Sequence, residues 1–433
     1  MKRPLPHHPA PVRHLHWKLV KRRPLLLTGG GLLTLLAVLG PGILAGLSDD
    51  DPAGITTYSI LGAKYGYQLI WVLVLSTAAL IIFHLIAVRV GVVTGKGLMT
   101  LIVERWGRKI ASVVLVGLVV ANVGTLCAEF AGVAAAFQLF GIHRDYLMVP
   151  LVAVGVSLLV LKGSFRRIEH VLLLLSAVFV TYIGSGILAG PDWGATAKGM
   201  VVPTMPLNKE AVLIAVATVG TTLAPWGLTF IQSYAVDKRI EIKDLAFEKV
   251  DVIVGAVLTG VIGLFVVIAC AATIHVQGGT ISTAGDAAKA LEPLAGNLAS
   301  KLFAVGFLGA ALLAVAIVPL ATAYSISEAA GQKHDLNDGF EEARVFYLSF
   351  IGCMIVAASL VLIPGAPLIK ILFLSQALNA ILLLLVLPFL WALSHETDLM
   401  GDQAVTGSAR VLSGAALILI AASVLTLGVL TVF

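Results

Sequence analysis

The chain has 433 residues, of which 59% are hydrophobic and only 12% are charged, and its formal net charge is +5. A soluble domain carries about 25% charged residues, so these proportions exclude a soluble globular protein and predict a protein embedded in a lipid bilayer. The basic residues are scattered between apolar blocks, which excludes a nucleic-acid-binding protein. The sequence has no P-loop, dinucleotide fingerprint or metalloprotease helix, so we expect neither an enzyme nor a cofactor.

The apolar blocks match the length of about 20 residues that a helix needs to cross the hydrocarbon core. Residues 1–24 form a basic tail, and residues 25–433 are predicted to form a single transmembrane domain. The eleven predicted spans are 25–63, 68–94, 110–141, 146–162, 168–189, 210–235, 251–276, 301–330, 343–364, 368–394 and 409–432. The fold class is therefore an all-α polytopic membrane protein.

The distribution of Lys and Arg predicts the orientation of the chain in the membrane. Most of the 29 basic residues lie in the tail and in the loops that follow even-numbered spans. Basic residues are retained on the cytoplasmic side, so we expect a cytoplasmic N-terminus, an extracytoplasmic C-terminus and a location in the inner (plasma) membrane.

Two spans contain a proline followed two residues later by a glycine. The first span contains Asp51-Pro52-Ala53-Gly54, and the sixth contains Ala224-Pro225-Trp226-Gly227. Proline removes a backbone donor, and unpaired backbone groups survive in a bilayer only where they line a polar cavity. A simple kink would explain one such motif, but the two lie five spans apart. This spacing predicts inverted repeats over about 25–190 and 210–394, with discontinuous helices 1 and 6 and an extra helix over 409–432.

The carboxylate of Asp51 indicates that the ligand of this protein is a cation. A carboxylate at the bilayer centre costs several kcal/mol unless a cation, a proton or a partner compensates it, so the broken helices are expected to form a cation site. Asp49 and Asp50 precede the break and either line a vestibule or are solvated or capping residues. Cys127, Cys270 and Cys353 fall within apolar stretches without CxxC spacing, which favours buried packing residues over disulfide or metal ligands.

These residues resemble the NRAMP divalent-metal transporters. Asp51-Pro52-Ala53-Gly54 and the following Tyr65-Gly66-Tyr67 are similar to the first-span Asp-Pro-Gly-Asn segment of that family, and Ala224-Pro225-Trp226 stands where the family has Met-Pro-His. Cys127-Ala128-Glu129-Phe130 and Ser375-Gln376 also look like family positions. The resemblance covers spans one to ten and implies the amino-acid-transporter-like fold, with a metal ion bound between the unwound parts of helices 1 and 6.

Several family positions are changed in this sequence. The family's metal-binding Asn is Gly54, its metal-binding Met is Ala224, and its carbonyl ligand one turn earlier aligns with Thr221. The groups that the family associates with proton coupling are replaced at three further positions. These positions are Leu126, Trp226 and Ile231.

Loss of the thioether removes a soft ligand that favours transition metals, and Gly54 and Ala224 are expected to enlarge the cavity. Mg²⁺ keeps several of its waters and needs only one or two carboxylates, so the pattern looks like the NRAMP-related magnesium transporters, with Mn²⁺ as an accompanying substrate. The implied function is uptake by alternating access, uncoupled from protons, in a protein that functions as a monomer. The expected metal contacts are Asp51, Gly54, Thr221, Ala224 and Gln376, and the expected cavity lining is Trp226, Glu129 and Asn379.

Two other functions remain open, and a third is disfavoured. A proton-coupled importer of Mn²⁺ and Fe²⁺ is the main alternative, and a sensor that moves no ion is a second. An amino-acid symporter is disfavoured because Asp51 would repel a substrate carboxylate. Glu129 is expected either to tune the cation path or to pair with Asn122 or Thr125, and His84 is expected to be a hydrogen-bonded packing residue rather than a proton relay.

Overall fold

The structure, a computed structural model, describes residues 45–46, 48–161, 177–333 and 338–432. These residues form helices and no β-strand, which confirms the predicted all-α class. The long helices are α1 (Pro52–Tyr65), α2 (Ile70–Thr94), α3 (Leu98–Leu139), α4 (Asp145–Leu161), α5 (Thr181–Leu188), α6 (Lys209–Thr222), α7 (Pro225–Asp237), α8 (Leu245–Thr273), α9 (Ala299–Ala330), α10 (Arg344–Val361), α11 (Leu368–Leu383), α12 (Leu387–His395) and α13 (Gly407–Val432). Short helical segments in the connections are Ala177–Val180, Trp193–Val201, Ile242–Asp244, His275–Gln277, Ala284–Ala288, Lys289–Leu291, Glu292–Ala295, Gly296–Leu298, Thr397–Met400 and Gly401–Gln403.

Within the described residues, 8 helical segments are long and apolar enough to cross a membrane, and two shorter apolar segments lie at Asp145–Leu161 and Val178–Leu188. Most of the first predicted span and the start of the fifth lie outside the described residues, as does the tail 1–24. The count of eleven spans therefore stays a prediction. Where predicted spans and described helices overlap, their ends mostly agree within a few residues.

Both predicted helix breaks are present, and they have the same local geometry. Asp51 (φ −77°, ψ 170°) precedes Pro52, and Ala224 (φ −77°, ψ 141°) precedes Pro225. Steric contact with a proline ring pushes the preceding residue into extended backbone, and proline fits the first position of a helix, where its missing N–H costs nothing. Each break is therefore an interruption followed at once by a new helix, α1 in the first case and α7 in the second.

A third interruption lies in the tenth predicted span, 368–394. The structure divides it into α11 and α12, with a turn at residues 384–386. Pro388 stands in the first turn of α12, where it cannot donate to the carbonyl of Leu384 and its ring would clash with that carbonyl in a continuous helix. The predicted bounds 368–394 agree with the apolar segment Leu368–His395, but the interruption within it was not predicted from the sequence.

Helix α3 begins before the third predicted span, which starts at residue 110. A kink at Gly107 (φ +83°) joins a leading segment to the part that matches the prediction. The positive φ favours glycine, since other residues are strained there. The expected span is therefore the portion of α3 that follows the kink.

The packing brings the two breaks together. Helix α1, which follows the first break, packs on α6, which precedes the second. Helix α1 also packs on α8, α6 packs on α11, and α3 runs along α9. Gly220 permits the closest of these approaches, since a Cβ atom there would lie 1.9 Å from the carbonyl oxygen of Gln376. All three cysteines are buried, as expected.

Ion pairs at the helix ends show which connections share a side of the bundle. Lys64 at the end of α1 pairs with Glu210 at the start of α6. Arg105 before the α3 kink pairs with Glu396 at 2.9 Å, just beyond α12. The predicted topology places the two connections that each ion pair joins on the same side of the membrane. Which of the two sides is cytoplasmic stays a prediction.

Candidate metal site

The first break places Asp51 at the amino end of α1, where 4% of the residue is exposed. Its carboxylate caps the helix, with Oδ1 accepting a hydrogen bond from the backbone N–H of Gly54 at 2.6 Å. An acidic side chain satisfies an open backbone donor at this position and balances the positive end of the helix dipole. The break therefore fixes a carboxylate inside the bundle.

The second break supplies uncharged oxygens. Pro225 is four residues after Thr221 and has no N–H, so the carbonyl of Thr221 lacks its usual helical donor. The hydroxyl of Thr221 is buried without a hydrogen-bond partner. Ala224 is 3% exposed, has no side-chain acceptor to cap α7, and its carbonyl accepts from the N–H of Gly227 at 3.2 Å. Ser48 stands four residues before Pro52, in the matching position of the first break, and was not singled out from the sequence.

The two breaks meet at Gly54. A Cβ atom on Gly54 would lie 3.2 Å from Asp51 Oδ1 and 3.2 Å from Thr221 Oγ1, so the predicted contacts from both breaks lie within one small volume. The same Cβ would lie 2.7 Å from the carbonyl oxygen of Asp49. The expectation that Gly54 enlarges the cavity was therefore wrong, because this backbone oxygen fills the space that a side chain would occupy.

Gln376 is buried on α11 and belongs to a chain of hydrogen bonds. Its Oε1 accepts from Asn379 Nδ2 at 2.9 Å, and the same Asn379 nitrogen donates to Thr125 Oγ1 at 2.9 Å on α3. Gln376 Nε2 has no partner. Asn379, predicted to line the cavity, thus holds the amide that was predicted to contact the ion.

Glu129 on α3 is fully buried beside Asp51, and neither of its carboxyl oxygens has a hydrogen-bond partner. The pairing expected from the sequence was wrong. Asn122 donates to Thr322 at 2.9 Å and Thr125 donates to Asn379 at 3.2 Å, so both are engaged elsewhere. Sequence reasoning missed the opposition of Glu129 and Asp51 because it arises only when α3 packs beside the first break.

Asp49 and Asp50 are also buried, with exposed fractions of 1% and 2%, so they are not solvated residues. Their four carboxylate oxygens have no hydrogen-bond partner, and no ion pair in the described part of the chain involves them. Together with Asp51 and Glu129 they place four carboxyl groups in the interior near the first break. Such a concentration requires compensation by cations or protons.

The remaining predicted residue of the lining is Trp226, which is 1% exposed in the first turn of α7. No group of three or more His, Cys, Asp or Glu side chains within the described ranges is arranged to hold a metal ion. Any ion held here would therefore depend on few carboxylates, on backbone and amide oxygens, and on its own waters.

His84 differs from expectation. It lies buried in the middle of α2 with 1% exposed, but its Nε2 has no hydrogen-bond partner. The prediction of a hydrogen-bonded packing residue was wrong for this nitrogen. The sequence carries no signal for this, because the spacing of residues along α2 does not show what faces the imidazole.

Known proteins resemble this chain over most of its length. The protein named divalent metal cation transporter MntH from Burkholderia ambifaria is 29% identical over 407 residues, covering 90% of this chain and 88% of that protein. A protein of the same name from Yersinia enterocolitica is 27% identical over 374 residues, with 85% and 88% covered.

Among solved structures, the manganese transporter of Eremococcus coleocola has a TM-score of 0.71 at 21% identity, covering 93% of this chain and 87% of that one. MhsT, solved in complex with L-phenylalanine, has a TM-score of 0.58 at 16% identity, covering 89% and 98%. These likenesses show a shared fold.

The family model described as natural resistance-associated macrophage protein-like (Nramp) matches residues 42–430. Because this match spans far more than half of the chain, the protein belongs to the Nramp family.

Proposed function

We propose that this protein carries divalent metal cations across a membrane, with Mg²⁺ as its main substrate and Mn²⁺ as an accompanying one. The observation that carries the proposal is the convergence of Asp51, Gly54 and Thr221 from two broken helices at one buried point. The similarity to proteins named divalent metal cation transporters, and to the fold of a manganese transporter, supports the cation class.

The preference for Mg²⁺ rests on the ligand chemistry of the site. Ala224 brings no sulfur, and the oxygens near the breaks come from carboxyl groups, a hydroxyl and backbone carbonyls. Soft ligands select transition metals, whereas oxygen ligands suit Mg²⁺ and Mn²⁺. Mg²⁺ releases its waters reluctantly, so we expect it to contact Asp51 and Gln376 partly through retained water. Asn379 holds Gln376 Oε1 in place, which leaves its second lone pair to accept from such a water.

Transport by alternating access follows from burial. Asp51, Thr221, Ala224 and Gln376 are each no more than 4% exposed, so an ion held among them has no open route to solvent. Entry and release require the half-helices to move. The half-helices can move at the two breaks without disrupting a continuous helix.

Protons are not needed to drive uptake. Moving two charges through an inside-negative potential of about 100 mV yields roughly 4.6 kcal/mol. That energy corresponds to a concentration gradient on the order of 10³-fold. The three positions that the family associates with proton coupling hold Leu126, Trp226 and Ile231, which do not titrate. We therefore propose uncoupled, electrogenic uptake by a monomer in the inner membrane, with a cytoplasmic N-terminus.

The proton-coupled import of Mn²⁺ or Fe²⁺ is a second candidate, favoured by one observation. The buried carboxyl group of Glu129 lies beside Asp51 without a hydrogen-bond partner, and an arriving metal ion would displace a proton held there. Glu129→Gln separates the two candidates. It would abolish metal-dependent proton movement in a coupled transporter, whereas an uncoupled transporter shows none before or after the change.

The experiment uses the full chain in proteoliposomes with an internal pH dye and an imposed potential. We expect Mg²⁺ and Mn²⁺ to enter without acidifying the lumen. Asp51→Asn keeps an oxygen to accept from Gly54 but removes the charge, so it should abolish uptake. The exposed Asp398→Asn is the matched control and should transport normally. Indifference to Mg²⁺ combined with Mn²⁺-dependent acidification would overturn the magnesium proposal, and normal uptake by Asp51→Asn would overturn the site.

A further inference from the structure

A second group of chemically reactive side chains lies beside the site at Asp51. It consists of the Asp49 carboxylate and the His84 imidazole, each 1% exposed. Both oxygens of Asp49 and Nε2 of His84 lack a hydrogen-bond partner. Buried polar groups are almost always paired in folded proteins, so the unpaired atoms of Asp49 and His84 indicate that a ligand binds between them.

Gly227, in the first turn of α7, brings these atoms to one place. A Cβ atom on Gly227 would lie 3.4 Å from His84 Nε2 and 3.8 Å from Asp49 Oδ1. The two atoms are thus no farther apart than these two distances added together, and both lie beside the side-chain space of Gly227. One partly hydrated cation bridges a gap of that size.

Asp49 contributes different atoms to this place and to the first site. Its backbone carbonyl lies against Gly54 beside Asp51, whereas its carboxylate lies against Gly227 and His84. The residue therefore contacts both locations from its position just before the break. An ion leaving Asp51 in this direction would next meet the Asp49 carboxylate.

We propose that Asp49 and His84 form a second binding station for a divalent cation, occupied as the ion moves past the break. A carboxylate oxygen and an imidazole nitrogen together suit Mn²⁺ through direct bonds, and a hydrated Mg²⁺ through its waters. The station rests on the proposed function, since its occupant is the transported ion. It also provides a partner for the buried Asp49 carboxyl oxygens, which have no hydrogen-bond partner.

The test uses Mn²⁺ as the probe, located by its anomalous scattering in crystals of the full chain and counted by calorimetry. We expect two Mn²⁺ positions in the wild type, one at Asp51 and one between Asp49 and His84. Asp49→Asn and His84→Gln should each lose the second position and keep the first, whereas Asp51→Asn should do the reverse. A wild-type map with Mn²⁺ at Asp51 alone overturns the second station and leaves the proposed function standing. A map without Mn²⁺ at either position overturns both.

A smaller substitution tests the same place in a protein that is expected to fold. The methyl group of Gly227→Ala would meet its neighbours at ordinary contact distances, so the protein should fold while the bridging space is filled. We expect Mn²⁺ uptake to fall about tenfold in maximal rate with little change in KM, because the first site is intact. Gly155→Ala, on α4 with nothing within 4 Å, is the matched control and should behave as the wild type. Equal rates and equal Mn²⁺ stoichiometry in the two variants would overturn the proposal.

Discussion

Pro225 is the residue whose removal tests the site most directly. Its lack of an N–H leaves the Thr221 carbonyl without a helical donor, and its ring holds Ala224 in extended backbone. Pro225→Ala supplies the missing donor and lifts that restriction. A backbone hydrogen bond contributes about 1 kcal/mol net, which an ion would have to displace before using the Thr221 carbonyl. Because 1.4 kcal/mol corresponds to a factor of ten, we expect the ion affinity to fall about fivefold.

The measurement is calorimetric titration of the purified protein in lipid nanodiscs with Mg²⁺ and with Mn²⁺. Pro388→Ala is the matched control, since Pro388 follows the third helix interruption and should leave the affinity unchanged. Wild-type affinity in Pro225→Ala would show that the Thr221 carbonyl is not a ligand. An equal loss of affinity in both variants would show a general effect of removing a proline from the bundle.

Three further changes probe the neighbours of Asp51. Gly54→Asn should reduce Mg²⁺ uptake at least tenfold, since its Cβ would lie 2.7 Å from the Asp49 carbonyl; uptake at the wild-type rate would contradict the tight packing seen there. Ala224→Met introduces a thioether, so competition assays should show Cd²⁺ and Mn²⁺ displacing Mg²⁺ more effectively, and an unchanged order of preference would argue against contact at this position. Asn379→Ala frees Gln376 Oε1 from its 2.9 Å hydrogen bond and should raise the KM for Mg²⁺ about tenfold, while an unaltered KM would remove Gln376 from the site.

The helix breaks were predictable because their cause is covalent and local. Proline lacks an N–H wherever it stands, which favours a break at Pro52 and Pro225, although Pro150 and Pro319 lie inside the helices α4 and α9. The interruption before Pro388 was missed because the pattern sought was proline with a nearby glycine, and Pro388 has none. The residue at which a helix is interrupted also depends on how the neighbouring helices pack against it.

The contacts within the site were much harder to predict. Glu129 faces Asp51, and Asn379 holds Gln376 from α11 while bonding Thr125 on α3. Each arrangement depends on how distant segments pack, which residue spacing along one helix does not determine. Gly54 illustrates the same limit, since a missing side chain predicts space, yet the Asp49 carbonyl closes that space.

The two breaks share backbone geometry but differ in charge, and this difference has a mechanistic consequence. Asp51 balances the positive amino end of α1, whereas Ala224 gives α7 no such cap. The first repeat thus supplies the negative charge, and the second supplies the neutral oxygens of Thr221. Neither half offers the complete site, because the first break brings charge without the oxygens of Thr221, and the neutral oxygens of the second break leave the charge of a dication unbalanced. Under the proposed function, a movement that separates α1 from α6 takes the site apart and releases the ion, so the displacement that opens a path also lowers the affinity.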